Sequence, residues 1–228
     1  MSTPAYPTRT FAGVTLIDTP LVQKAMEYTR HHNDTFSFNH TYRSWIFGVI
    51  IASKIPAFSA IDAEVHAVSA LLHDLAWDCT TSPFATPDKR FEVDSANAAR
   101  DFLDREAPNF DARRRQLIWD SIALHTTPSI GHHKEPEVAI CNMGIFADFK
   151  GPQFPGGLIS KEEYNAVVQE LPADGFQDGV KKLMCGLCEK KPETTYDNCV
   201  RDFGERFVKG YALGNRNAVE MLMEKIEH

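Results

Sequence analysis

Cationic side chains are in short supply: 24 lysines and arginines stand against 31 aspartates and glutamates in 228 residues, a formal net charge of -7. That balance speaks against a nucleic-acid backbone as the main partner. Cysteine is sparse as well. Its five copies, Cys79, Cys141, Cys185, Cys188 and Cys199, are odd in number and scattered, which fits reduced thiols rather than a disulfide framework. Cys185 and Cys188 form a CxxC, yet a second pair for a structural zinc and the strand–helix setting of a redox motif are both missing, so we read them as ordinary helical cysteines. No run approaches the roughly 18 apolar residues of a membrane span. The opening MSTPAYPTRTFAG lacks the basic and apolar regions of a signal peptide, so a cytoplasmic location is the expectation, with neither membrane nor nucleic acid as partner. Strict apolar–polar alternation is also absent over any useful length, which removes the main sign of strands.

What is present is helical. Hydrophobic residues make up 43% of the chain and charged ones 24%, the composition of a globular protein whose length suits one domain. Residues 1–19 carry two prolines and little periodicity, and we read them as an N-terminal extension to a single domain over 20–228. A first helix begins at Pro20 with Thr19 as cap, and HTYRSWIFGVIIASKI makes a long apolar-rich second one ended by Pro56. DAEVHAVSALLHDLAWD, capped by Asp62, makes the third. A loop from Cys79 to Lys89 leads to a helix capped by Asp94 or Ser95, and FDARRRQLIWDSIALH then closes on His125 before the polar link TTPSIGHHKEP. PEVAICNMGIFADF follows, then a Pro/Gly-rich loop, then SKEEYNAVVQEL with a Ser-x-x-Glu capping box, and about three more helices fill the remainder. The spacing predicts an all-α bundle of roughly seven to nine helices.

Polar residues interrupt the most apolar of these stretches. His73 and Asp74 end the run AVSALLHDLAW, His40 lies upstream and Asp148 downstream. A buried carboxylate without a partner costs several kcal/mol, and a divalent cation is one of few partners that would satisfy two imidazoles and two carboxylates at once. Arg43 sits one turn after His40, on the same side, placed either to orient a ligand carboxylate or to meet an anionic substrate.

The order His40, then His73-Asp74, then Asp148, with Arg43 three residues after the first histidine, resembles the H…HD…D signature of the HD-domain superfamily of metal-dependent hydrolases over roughly residues 35–150. The resemblance implies a helical bundle in which His40, His73, Asp74 and Asp148 hold one divalent metal ion, zinc first, with manganese, iron or nickel compatible. Members with two metals carry a further histidine before the next helix; this chain has Phe91 there, which argues against a second ion. Glu92 and Asp94 are the neighbouring acids, one a candidate general base and the other the better N-cap. The pattern around Phe91 and the separated His125 resembles the cyanamide hydratase branch, whose members add water to a nitrile-type carbon.

The implied activity is a metal-dependent hydrolase or hydratase acting on a small molecule, with Asp74, His125, Arg43 and Glu92 as catalytic candidates. An HD phosphohydrolase, using Arg43, Lys89 and Arg90 on a phosphate ester, is the alternative, and a helical scaffold protein with a structural metal is the non-enzymatic one. Asp78, Lys89, Arg90 and the loop between His73 and Phe91 are expected to form a lid, while His31, His32, His132 and His133 read as surface histidines. A second copy of the chain stays open as a partner.

Overall fold

The computed structural model describes residues 6–154, 156–213 and 218–223. Its elements run β1 (Thr8–Phe11), β2 (Val14–Ile17), α1 (Pro20–His32), α2 (Thr35–Lys54), α3 (Ala63–Leu72), α4 (Phe91–Glu106), α5 (Ala112–Ala123), α6 (Pro128–Gly131), α7 (Pro136–Lys150), α8 (Lys161–Glu170), α9 (Phe176–Lys190), α10 (Val200–Phe207) and α11 (Ala218–Met223). The all-α expectation holds, with eleven helices among the described residues rather than seven to nine. Part of the surplus is short: α6 is a single turn inside the expected polar link, started by Pro128 at its first position, and α11 has six residues.

The N-terminal segment departs from expectation. Thr8–Phe11 pairs antiparallel with Val14–Ile17 across Ala12 and Gly13, both at positive φ as a two-residue type I′ turn demands. Four-residue strands are too short to register as a periodicity, and what fixes them is tertiary: Leu16 and Ile17 are buried in the main core. The described part of the expected extension, residues 6–19, is therefore part of the packed body; residues 1–5 lie outside the described residues.

Helix starts follow capping chemistry. Thr19 accepts from the Val22 amide, Asp34 from Ser37, Asp62 from Glu64 and Val65, Asp111 from Arg114, and Ser160 with Glu163 forms a full capping box. The fourth helix is a correction. It begins at Phe91, so Asp94 lies within its first turn and caps nothing; instead its carboxylate accepts from the Thr86 amide and hydroxyl and pairs with buried Lys191 at 3.0 Å. That ion pair ties the C-terminal end of α9 to α4.

The core is centred on α2, α3 and α7, with Trp45, Phe47, Ile51, Leu71 and Leu72 fully buried. His40, Ser44 and Gly48 are spaced by four on α2, as are Gly144 and Asp148 on α7. These stripes meet backbone to backbone: a Cβ on Gly144 would lie 2.8 Å from the Gly48 nitrogen and would clash with the Ser44 carbonyl. Gly144→Ala should force the helices apart and cost about 2 kcal/mol, as overpacking does. A urea midpoint unchanged from wild type would show that the crossing tolerates a methyl group.

Candidate metal centre

Four helices and the residues just after them deliver the site. His40 projects from the second turn of α2, His73 is the C-cap of α3 and Asp74 follows it in a turn, His125 comes just after α5, and Asp148 lies near the end of α7. The turn at His73-Asp74 is held from outside: Thr29 of α1 donates to the Leu71 carbonyl at 2.7 Å, and Ser95 of α4 accepts from the Ala76 amide at 3.0 Å. His73 and Asp74 follow the last residue of α3, and both side chains reach the same point.

Three of the four predicted ligands come together. His73 Nε2 lies 3.1 Å and His40 Nε2 3.5 Å from Asp74 Oδ2, with 3.3 Å between the two nitrogens. All three residues are at most 1% exposed. Among the described residues they make the one group of histidine, cysteine and carboxylate ligand atoms close enough to hold a metal ion.

Asp148 stands further out. Its Oδ2 accepts from His40 Nδ1 at 2.8 Å, and Arg43 clamps it bidentately through Nε at 2.7 Å and Nη2 at 2.8 Å. Here Asp148 orients His40 from behind, in the carboxylate–histidine arrangement that fixes ring orientation and raises ligand basicity. Arg43 is 1% exposed, so it is neither a surface residue nor free to bind an anion; its Nη1 is further committed to the carbonyls of Leu171 and Pro172.

Hydrogen bonding decides which ring nitrogens are bare. His73 Nδ1 bonds the Ala70 carbonyl at 2.8 Å and His125 Nδ1 the Ile122 carbonyl at 2.7 Å. A carbonyl only accepts, so each Nδ1 carries the hydrogen; in the neutral ring Nε2 is then a lone pair. His40 is fixed the same way by Asp148. His125 Nε2 lies 3.5 Å from Asp74 Oδ1, which has no hydrogen-bond partner although it is buried. Burial pushes His40 below the ordinary imidazole range, and burial helped by His73 takes His125 down to about 4. For Asp74 burial acts upward, but His73, His125 and His40 outweigh it and hold the carboxyl below its usual value.

The outcome is a dry cluster of acceptors with a shortage of donors. Such a cluster is unstable unless a proton or a cation sits among its members. The spacing suits a cation. Two zinc–nitrogen bonds of about 2.05 Å at a tetrahedral angle separate the nitrogens by roughly 3.3 Å, and the observed edges of 3.1, 3.3 and 3.5 Å are of that size.

The other predicted residues are placed as follows. Phe91 packs edge-on against His125 at 5.5 Å between ring centroids. Glu92 is fully buried, accepts from Arg90 and from the Thr126 hydroxyl, and is not among the atoms close enough to hold an ion, though its charge acts on His125. Lys89 pairs with Asp88, and Asp78 accepts from Thr80 and Thr81. Of the expected lid, the segment between His73 and Phe91, Trp77 lines the cavity beside the cluster, whereas Asp78, Lys89, Arg90 and the loop between them do not. His132 and His133 are exposed; His31 is exposed and His32 half-buried against Tyr28 and Phe84. Cys185 and Cys188 lie on α9 as free thiols.

The cover of the cluster is aromatic and comes partly from beyond the motif-bearing span. Trp77 stacks on His40 at 5.4 Å and donates to Ser37, while Phe149 and Phe176 pack on the same imidazole at 5.2 and 5.0 Å. A cavity of about 310 Å³ opens from His40, Asp74 and His125, with Val180 and Met184 of α9 and Phe203 of α10 among its walls. The period-four stripe Phe176, Val180, Met184 was legible in the chain as a buried helix face, but nothing local says which core it meets. Thr126, directly after His125, also lines the cavity. No protein-family model matches the chain and no curated protein matches it, so its chemistry is read from the site itself.

Proposed function

We propose that this protein is a metal-dependent hydrolase or hydratase of the HD-domain type, holding one divalent ion, zinc first, through His40, His73 and Asp74 and using it to bring water onto a small electrophile. The observation that carries the reading is the convergence of three Nε2 atoms, each fixed as a lone pair by an outward Nδ1 hydrogen bond, on an Asp74 carboxylate with a bare Oδ1. An ion there supplies Lewis acidity, lowering the pKa of water and polarising the electrophile.

The chain's own groups do the rest. Asp74 Oδ1 has acceptor capacity to spare and takes up the proton that water releases as its oxygen bonds to the electrophilic carbon. His125 Nε2, 3.5 Å from that oxygen, is the next acceptor along and the group placed to pass the proton to the nitrogen or oxygen of the substrate. Arg43 and Asp148 hold His40 in register, and Trp77, Phe149 and Phe176 keep bulk water off the cluster, which strengthens every electrostatic interaction in it.

The phosphohydrolase alternative has less support, since the three cations it relies on are spoken for: Arg43 by Asp148, Arg90 by Glu92 and Lys89 by Asp88. Dialysis against a chelator followed by zinc titration tests the reading. One equivalent should bind and restore turnover in a folded protein; a stoichiometry of zero would sink it. A large loss of thermal stability on chelation, with no turnover of any substrate in the loaded protein, would favour the scaffold with a structural metal.

A further inference from the structure

The cavity beside the cluster has a chemical character of its own. Away from His40, Asp74 and His125 its walls include Trp77, Ile145, Phe149, Val180, Met184 and Phe203, and the remaining polar lining is Thr126, Cys199 and the exposed Lys150. A volume of about 310 Å³ has room for roughly ten non-hydrogen atoms at the ~30 Å³ a water molecule occupies. A substrate of three or four atoms would leave most of that apolar space unfilled, and away from the metal group the lining offers a charged substrate body a single cation, the exposed Lys150. Buried Lys191, just after α9, is already paired with Asp94.

We propose that the substrate is an uncharged molecule with an apolar body of roughly six to ten non-hydrogen atoms, its reacting carbon set against Asp74 and His125 and its body lying between α7, α9 and α10. This rests on the hydrolase or hydratase reading above and adds the substrate class to it. Residues of α9 and α10, outside the span that carries the HD-type residues, then determine specificity.

The test uses the full chain loaded with zinc, and binding of the neutral amides acetamide, butanamide and hexanamide, with hexyl phosphate as the anionic counterpart, read by calorimetry and by Trp fluorescence. Affinity should rise roughly fourfold per added methylene, the factor for burying one such group, and hexyl phosphate should bind more weakly than hexanamide. Met184→Trp, which fills the chamber, should weaken hexanamide at least tenfold while zinc content stays at the wild-type level. Met184→Ala, which enlarges it, should extend the gain to octanamide. Affinity independent of chain length, preference for hexyl phosphate, or hexanamide binding unchanged in Met184→Trp would overturn the proposal. The two readings separate cleanly: failure to take up zinc strikes the metal site, whereas zinc uptake with no chain-length dependence strikes the chamber alone.

Discussion

Asp74→Ala is expected to lose metal retention, lowering zinc affinity at least ~100-fold, the upper end of what losing even an outer partner of a ligand costs. Its carboxylate is the anion on which His40, His73 and His125 converge, and no other carboxylate among the described residues shares the ligand group. Removing it leaves neutral lone pairs that cannot balance a divalent charge. The fold should survive, because Asp74 Oδ1 makes no hydrogen bond and its removal relieves a buried acceptor. Thermal melts with and without zinc, together with elemental analysis after dialysis, check both halves. Wild type should gain stability with zinc by mass action and the variant should not. Equal zinc content in the two proteins would show that the ion, if bound, sits elsewhere.

Arg43→Ala should have the largest effect on stability, about 3–5 kcal/mol, the range for stripping one partner from a buried ion pair. Asp148 would be left in the core with a single bond from His40, and the carbonyls of Leu171 and Pro172, which Arg43 Nη1 now satisfies, would lose their donor. Those carbonyls belong to the connection leading into α9, so the cover of the cavity loosens together with the imidazole it protects. Arg43→Lys should recover little, since an ammonium cannot reproduce the two-point clamp on Asp148 and the carbonyl bonds together. Chemical denaturation of the metal-free protein measures this without the ion's contribution. A loss under 1 kcal/mol would mean that the core relaxes to let water reach Asp148.

Much of the helical frame was legible because its signals are local. Thr19-Pro20, Asp62 and Ser160-x-x-Glu163 announce helix starts through atoms a few residues apart, and the apolar run around His73 and Asp74 marks a polar pair inside a core. The hairpin escaped because four-residue strands carry no usable period, and Asp94 was read as a cap because its true partner, Lys191, is 97 residues away. The role of Arg43 had two readings in the sequence; burial selected the one that clamps a carboxylate. The lid was sought next to the motif in the chain, and Trp77 of that segment does line the cavity, but further walls come from α9 and α10, over a hundred residues beyond His73.

By itself the sequence determined residue chemistry and local geometry: which segments are helical, which faces are apolar, and which polar groups would be costly to bury. Tertiary structure alone decided how those groups are shared out. It placed Asp148 behind His40 instead of beside Asp74, turned three Nε2 lone pairs toward one carboxylate, and brought Val180, Met184 and Phe203 over the result. The physical reason is range. Helix propensity and capping act within one or two turns, whereas the direction of an imidazole lone pair depends on which acceptor meets its other nitrogen, and for His40 that acceptor arrives from 108 residues away.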